Sequence, residues 1–238
     1  MIEFPFEEII PLCAAFGTVL DDTAVDRLQR YGNLLLAWNE KMNLTAITEP
    51  REVLFKHFYD CLLLLKHTAL TPNSRVIDVG TGAGFPGMVL KIVRPDLQVT
   101  LLDGLNKRLI FLNAVLEDIG LTAETIHLRA EEAGRDSRYR EQFDLATARA
   151  VARLPVLCEY CLPFVKKGGV FVAMKGASAA EEAAAAGNAL RLLGGGKPHL
   201  VTETLTGEEQ RAFILVKKIS QTPPKYPRSG GKIAKSAL

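Results

Sequence analysis

The stretch VIDVGTGAGFPG, residues 76–87, decides the fold of this chain. A short run of β-branched residues leads into closely spaced glycines, which is the order of a strand followed by a tight loop. Glycines let the backbone turn sharply and come close to a bound molecule, because they carry no Cβ. Two overlapping patterns fit here, G-x-G-x-x-G from Gly82 and D-x-G-x-G-x-G from Asp78. Both predict a loop that holds a nucleotide-like ligand.

Strand-like runs recur from this point to the end of the sequence. Helix-length amphipathic segments separate the first five, which predicts a parallel sheet with helices on both faces. The last two runs follow each other closely and are expected to pair as an antiparallel hairpin. The fold class is therefore α/β, in the seven-stranded layout of class I (Rossmann-like) methyltransferases, with an N-terminal helical extension. The runs are RVIDVG (75–80), VTLLDG (99–104), ETIHLRA (124–130), FDLATAR (143–149), GVFVAMKG (169–176), HLVTETL (199–205) and RAFILVKKI (211–219).

The helical extension is predicted from hydrophobic spacing before the first strand. Val25, Leu28, Tyr31 and Leu35 recur at steps of three and four residues, as on one face of a helix. The turn cluster LTPNS at 70–74 ends this part. We therefore expect a helical cap over residues 1–70, a ligand-binding α/β domain over 71–219 and a basic tail over 220–238.

Composition limits the class of protein. A chain of 238 residues, 48% of them hydrophobic, is long enough for one large domain with a full core. Its longest apolar runs, such as CLLLL at 61–65, fall far short of the roughly 18 residues that a membrane span needs. The first residues carry acids where a signal peptide carries basic residues. We expect a cytoplasmic protein without a membrane partner, and a monomer.

The pair CEYC, Cys158 to Cys161, has neither a second cysteine pair nor suitably spaced histidines beside it. Zinc sites normally need one or the other. The two cysteines are therefore interpreted as core residues on a helix, and no metal site is expected.

The charge near the glycine loop distinguishes between two candidate ligands, a dinucleotide and S-adenosylmethionine. A pyrophosphate binds helix N-terminal N–H groups that are free of nearby carboxylates, so Asp78 opposes a dinucleotide. S-adenosylmethionine carries a positively charged ammonium group and a positively charged sulfonium group. A carboxylate near the loop is therefore compatible with this ligand. Pro86 also removes an N–H donor that phosphate would use. Asp103, at the end of the second strand, can accept hydrogen bonds from ribose hydroxyls in either case. S-adenosylmethionine is favoured, and an NAD-dependent oxidoreductase with a helical extension remains the alternative.

Several further stretches, taken together with the glycine loop, resemble the glucose-inhibited division protein B family (RsmG). The resemblance runs from about residue 38 to the C-terminus. It implies a methyltransferase that uses S-adenosylmethionine to modify N7 of a guanosine in bacterial 16S ribosomal RNA, either free or in a small-subunit particle. The stretches are WNEKMNLTAIT, HFYDCL, LLDGLNKR, RAEE, ARAVARL and PPKYPRSGGK.

The same resemblance implies which residues hold the methyl donor. They lie in the glycine loop, at the end of the second strand, after the third strand and after the fourth. Gly104 departs from the Ser or Ala frequent at this position, which leaves only a backbone contact there. Arg149, near the expected methyl group, is the candidate catalytic residue. The predicted donor-binding residues are Gly80, Gly82, Phe85, Asp103, Gly104, Leu105, Ala130, Glu131 and Arg149.

The missing catalytic motifs agree with N7 as the target. Exocyclic amines are commonly methylated with an Asn/Asp-Pro-Pro-aromatic motif after the fourth strand, where this chain has TARAVARLP. Cytosine C5 enzymes usually place the nucleophile in a Pro-Cys pair, and Cys158 follows Leu157. Guanine N7 has an in-plane lone pair and no proton to lose, so it requires no general base. Arg149 or Arg153 could pair with guanine O6 or with a phosphate.

The C-terminal stretch is basic: from residue 217 on it holds six of the 29 basic residues and none of the 27 acidic ones. A solvated tail is one explanation. The other is an RNA clamp, since prolines stiffen PPKYPRSGGK, Tyr226 can stack on a base and glycines allow close approach. The predicted RNA-binding residues are Arg153, Lys225, Arg228 and Lys232.

Overall fold

The computed structural model describes residues 2–207 and 209–238. Its centre is a seven-stranded sheet in the order β3-β2-β1-β4-β5-β7-β6. The first five strands run parallel, and β7 is antiparallel to both β5 and β6. All seven expected strands and the terminal hairpin are confirmed. The strands are β1 (Arg75–Val79), β2 (Gln98–Asp103), β3 (Glu124–His127), β4 (Phe143–Arg149), β5 (Val165–Lys175), β6 (His199–Thr206) and β7 (Glu209–Lys217).

Helices cover both faces of this sheet. The alanine-rich stretch before β6 forms two short helices. None of the helices in the described parts of the chain has the length and apolarity to cross a membrane. The helices are α1 (Ile10–Ala14), α2 (Asp22–Met42), α3 (Pro50–Val53), a π-helical turn (Leu54–Tyr59), α4 (Asp60–His67), α5 (Gly87–Val93), α6 (Asn106–Ile119), α7 (Ala130–Ala133), α8 (Leu154–Cys161), α9 (Ala179–Ala185), α10 (Gly187–Leu193) and α11 (Gly230–Lys235).

The N-terminal helices pack on one face of the sheet. α2 starts where the Asp21 carboxylate accepts a hydrogen bond from Ala24 N at 2.7 Å, and it ends at Asn43, whose φ of 50° is left-handed. Its buried side chains, Tyr31 and Leu35 among them, belong to the same hydrophobic cluster as Val76 of β1. The helices before the sheet therefore share a core with it.

A second core lies under the opposite face, where α8 and α10 pack together. Cys158 and Cys161 are both fully buried in it, on α8. Their interpretation as core residues on a helix is confirmed.

The carboxyl ends of β1, β2 and β4 lie side by side, since β1 is hydrogen-bonded to the other two strands. The loops after these strands start at Gly80, Gly104 and Ala150. In an open α/β sheet this edge is where ligands bind, because the strand order reverses there.

Candidate functional site

A cavity of about 730 Å³ opens over the carboxyl ends of the strands. Six of the nine residues predicted to hold the ligand line it, and they come from three separate loop regions. These residues are Gly80, Asp103, Gly104, Leu105, Ala130 and Glu131.

The glycine loop has the tight shape that its sequence requires. Gly80 has a φ of +70°, and a Cβ there would lie 2.8 Å from a methyl carbon of Val151. Only glycine fits both the conformation and the space. Asp78 lies beneath the loop: its Oδ2 accepts hydrogen bonds from Thr81 Oγ1 at 2.6 Å and Gly87 N at 2.9 Å. Burial raises the pKa of Asp78 to about 6. This carboxylate therefore shapes the loop from within the core.

Asp103 connects the loop to the second strand. Its Oδ2 accepts from Gly82 N at 2.9 Å and Arg108 Nη1 at 3.1 Å, and its Oδ1 accepts from Leu105 N at 2.8 Å. The side chain is 3% exposed and faces the cavity. Because a carboxylate offers about four acceptor positions, one remains for a ligand hydroxyl, and displacement of Arg108 would release another.

A second, smaller pocket of about 170 Å³ adjoins the first. Gly80, Arg108 and Ala150 line both. The remaining three predicted residues, Gly82, Phe85 and Arg149, lie in the second pocket rather than in the larger cavity. The predicted set is therefore divided between two adjoining spaces.

Arg149 is held in a buried ion-pair cluster. Its Nη1 donates to Asp60 Oδ2 at 3.1 Å and to the Lys56 carbonyl at 3.0 Å, and its guanidinium lies 4.7 Å from the centre of the Phe85 ring. Arg211 Nε donates to the other oxygen of Asp60 at 3.0 Å. Burial raises the pKa of Asp60, while the two guanidinium groups oppose that rise. The cluster joins the N-terminal helices to β4 and β7.

His57 also lines the second pocket. Its ring stacks on Phe85 at 4.5 Å, its Nε2 lies 2.8 Å from Thr45 Oγ1, and its Nδ1 lies 3.3 Å from Arg149 Nη2. Burial, together with the charge of Arg149, lowers the pKa of His57 to about 3. The ring is therefore neutral at physiological pH.

Comparison with known proteins decides to which family this arrangement belongs. The family described as rRNA small subunit methyltransferase G (GidB) matches residues 24–214. The ribosomal RNA small subunit methyltransferase G of an Exiguobacterium species is 48% identical over 233 residues, 97% of this chain and 98% of that protein. Its namesake from Acetivibrio thermocellus is 49% identical over 232 residues, 97% of this chain and 95% of that protein. This chain belongs to the methyltransferase G family.

As a member of the methyltransferase G family, the chain is a methyltransferase that uses S-adenosylmethionine. Its fold agrees with a solved S-adenosylmethionine-dependent O-methyltransferase from Thermotoga maritima, at a TM-score of 0.55 and 14% identity, over 79% of this chain and 73% of that one. The alternative of an NAD-dependent oxidoreductase is not supported. Dehydrogenases of this fold usually add a sixth parallel strand, whereas the strand next to β5 here is the antiparallel β7.

The residues predicted to bind RNA differ in their surroundings. Arg153 is exposed and pairs with Glu181 at 2.6 Å. Lys225 and Lys232 are exposed. Arg228 instead pairs at 2.7 Å with the buried Glu159 of α8, an acid from outside the C-terminal stretch.

The expectation that Tyr226 can stack on a base is wrong, because its side chain is buried at 6% exposure. The C-terminal segment is not a free tail: it folds back on the domain and ends in α11.

Sequence reasoning missed part of the larger cavity. Its wall is completed by residues from α6, from the loop after β3, from α8 and from α11. No local pattern marks them as ligand contacts, because they meet only through tertiary packing. These residues are Arg108, Arg129, Tyr160, Gly230, Gly231 and Ala234.

Proposed function

We propose that this protein transfers the methyl group of S-adenosylmethionine to N7 of a guanosine in 16S ribosomal RNA. The observation that carries the proposal is the pair of adjoining pockets at the carboxyl edge of the sheet. The larger one has the size and the lining for a nucleoside-containing donor. The smaller one provides the direction from which an acceptor base approaches.

We expect the donor methyl group and the acceptor N7 to meet at the border between the two pockets. Gly80 lines both pockets, and a side chain there would collide with Val151, which lines the larger one. With the donor ribose at Asp103, the methionine part extends along the glycine loop toward the second pocket. Methyl transfer then depends mainly on alignment of the acceptor lone pair with the sulfonium methyl.

Arg149 is suited to orient a guanine at this border. Its hydrogen bonds to the Lys56 carbonyl and Asp60 use Nη1, and one N–H of Nη2 lies toward His57 Nδ1, which leaves Nε–H and the other N–H of Nη2 for a ligand. Guanine O6 lies next to N7, and arginine commonly donates to it. Arg149 would therefore fix the base with N7 toward the donor methyl.

The chemistry requires no base, and the pocket supplies none of the usual kind. His57 has a pKa of about 3 and engages Thr45 and Arg149. Because N7 carries no proton, single-turnover rates with saturating RNA should be nearly constant across neutral pH. A rate that rises steeply with an apparent pKa near 7 would contradict the assignment to N7.

RNA contacts belong to the rim of the site. Lys225 and Lys232 are exposed cations on the C-terminal segment, and Arg153 lies just after β4. We propose that these three contact phosphates. Arg228, which is engaged with Glu159, acts by holding the segment that carries the two lysines.

The proposal is tested by methylation of ribosomal RNA from a strain that lacks this gene. Free 16S RNA and isolated small subunits are each incubated with the protein and labelled donor, then digested and analysed by mass spectrometry. We expect 7-methylguanosine at one position. Label in an exocyclic amine, in a ribose or in no nucleotide of either substrate would overturn the proposal.

A matched pair of variants tests the role of Arg149. Arg149→Lys keeps a positive charge beside Asp60 but loses the planar fork, and should lower the single-turnover rate at least tenfold. Arg191→Lys, on the exposed side of α10, should leave it unchanged. Equal single-turnover rates for the two variants would contradict a role of Arg149 in orienting the guanine.

A further inference from the structure

The C-terminal helix α11 forms one wall of the larger cavity. This helix contributes three residues to the cavity lining, Gly230, Gly231 and Ala234. Near them the cavity is lined by Ala130 and Glu131 of α7 and by Tyr160 of α8. All of the other lining residues precede position 161 in the sequence. The wall is therefore supplied by a segment remote from the rest of the site.

Buried contacts fix this segment in place. Glu159, which is fully buried, accepts from Arg228 Nε at 2.9 Å and Nη2 at 2.7 Å and from Arg228 N at 2.7 Å. Such a bidentate charged pair is among the stronger hydrogen-bonded contacts in proteins. Arg135 Nε donates to the Pro227 carbonyl at 2.8 Å, and Arg140 Nη1 to the Tyr226 carbonyl at 2.9 Å. A solvated tail would make none of these contacts.

The segment also touches a predicted donor-binding residue directly. A Cβ on Gly230 would overlap the carboxylate of Glu131, so the backbone of α11 lies against that side chain. Ile233 is buried at 1% exposure and anchors the helix, while Ala234 at the next position is exposed toward the cavity. The position of Glu131 therefore depends on how α11 is seated.

We infer that residues 226–235 are part of the methyl-donor site, with Arg228 as a positioning residue and Ala234 as a wall against the nucleoside base. The inference rests on the proposed use of the larger cavity for the donor. Because β2 lies between β1 and β3 in the sheet, Asp103 lies between the glycine loop and Glu131, which leaves the region between Glu131 and α11 for the adenine. Binding of the donor and docking of the C-terminal segment are then coupled.

A matched pair of leucine substitutions tests the wall. Ala234→Leu fills the cavity from an exposed position, and Ala237→Leu adds the same side chain at an exposed position outside the cavity. Calorimetry with S-adenosylhomocysteine should show at least tenfold weaker binding for Ala234→Leu and unchanged binding for Ala237→Leu. If the unsubstituted protein binds no S-adenosylhomocysteine, the proposed function fails; if it binds and Ala234→Leu binds equally well, only this inference fails.

A second pair tests the positioning role of Arg228. Arg228→Ala should weaken S-adenosylhomocysteine binding several-fold and speed hydrogen exchange at the amides of residues 230–235. Lys217→Ala, which removes an exposed cation at the end of β7, outside the segment and the cavity, should do neither. Added S-adenosylhomocysteine should slow exchange in α11 of the unsubstituted protein, because donor and segment stabilise each other. Faster exchange in Arg228→Ala with unchanged donor affinity would overturn the coupling.

Discussion

Asp103 performs two tasks with one carboxylate: it holds Gly82 and Leu105 of the neighbouring loops, and it faces the cavity. Asp103→Ala should weaken donor binding by about 1.5–3 kcal/mol, the usual contribution of hydrogen bonds to a charged group. Calorimetry with S-adenosylhomocysteine measures the change, with Asp118→Ala on the far end of α6 as the control. Unchanged affinity in a folded Asp103→Ala protein would place the ribose elsewhere.

His57 gives a prediction about pH. Its pKa falls from the ordinary 6.5 to about 3 in the folded protein, so between these values the unfolded chain binds a proton that the folded one does not. The contribution of neutral His57 to the stability of the folded state is complete above pH 6.5 and is lost as the pH falls toward 3. The free energy of unfolding changes by at most about 1.4 kcal/mol per pH unit through this group.

Asp78 acts in the opposite direction. Its pKa rises from 3.8 to about 6, so the folded protein takes up the extra proton and gains stability as the pH falls through that range. His57→Gln should therefore reveal a free energy of unfolding that rises from pH 6 to pH 4. Urea unfolding at several pH values measures it, and His199→Gln, at an exposed position, should keep the profile of the unsubstituted protein.

Single residues mark the limit of the sequence-based predictions. Gly80 and Asp103 can be assigned because their spacing along the chain already gives the turn and the strand end. The surroundings of Arg228 cannot be assigned from the sequence. Its partner Glu159 lies 69 positions earlier, and no pattern near either residue indicates that they pair. Likewise, the sequence presents Asp78 as a charge near a ligand, whereas its hydrogen bonds place it under the loop.

At the scale of elements, the ion-pair cluster holds the N-terminal helices on the sheet. Asp60 lies at the start of α4, next to the π-helical turn, and is fully buried between Arg149 of β4 and Arg211 of β7. Asp60→Ala would leave two partly buried guanidinium groups without their carboxylate. Removal of one partner from a buried pair typically costs about 3–5 kcal/mol.

The cost should appear as a lower free energy of unfolding in urea. Asp136→Ala breaks the exposed pair with Arg138 and provides the matched control, with almost no change expected. Equal effects of the two substitutions would mean that the cluster contributes no more than a surface pair.

Strands are the easiest elements to predict, because short apolar runs bounded by turn residues carry their signal locally. Two features of the helices are not predictable in this way. The π-helical turn at Leu54–Tyr59 and the short helix α11 are stabilised by side chains that arrive from the sheet and from α8. Tertiary contacts, rather than propensity, decide such segments.

For the whole molecule, the C-terminal segment differs from the rest of the chain in its charge. The net charge is only +2, and the C-terminal segment carries cations without acids. Replacing Lys225 and Lys232 with alanine should weaken binding to RNA of any sequence and lower the salt slope by roughly 0.7–0.9 for each phosphate that is no longer neutralised. Filter binding across a salt series measures this, with Lys66→Ala and Lys166→Ala as a doubly substituted control. An unchanged slope would mean that the two lysines are simply solvated.

The packing of α11 against the larger cavity bears on how the protein folds during its synthesis. Residues 226–235 leave the ribosome after every other element that lines the cavity. The helices before α11 and the first six strands can begin to fold earlier, because domains form progressively as the chain emerges. A nascent chain halted within the hairpin would thus display the glycine loop and Asp103 yet lack the closing wall. If the segment is part of the donor site as proposed, a nascent chain can hold the methyl donor only after residue 235 has left the ribosome and Arg228 has reached Glu159.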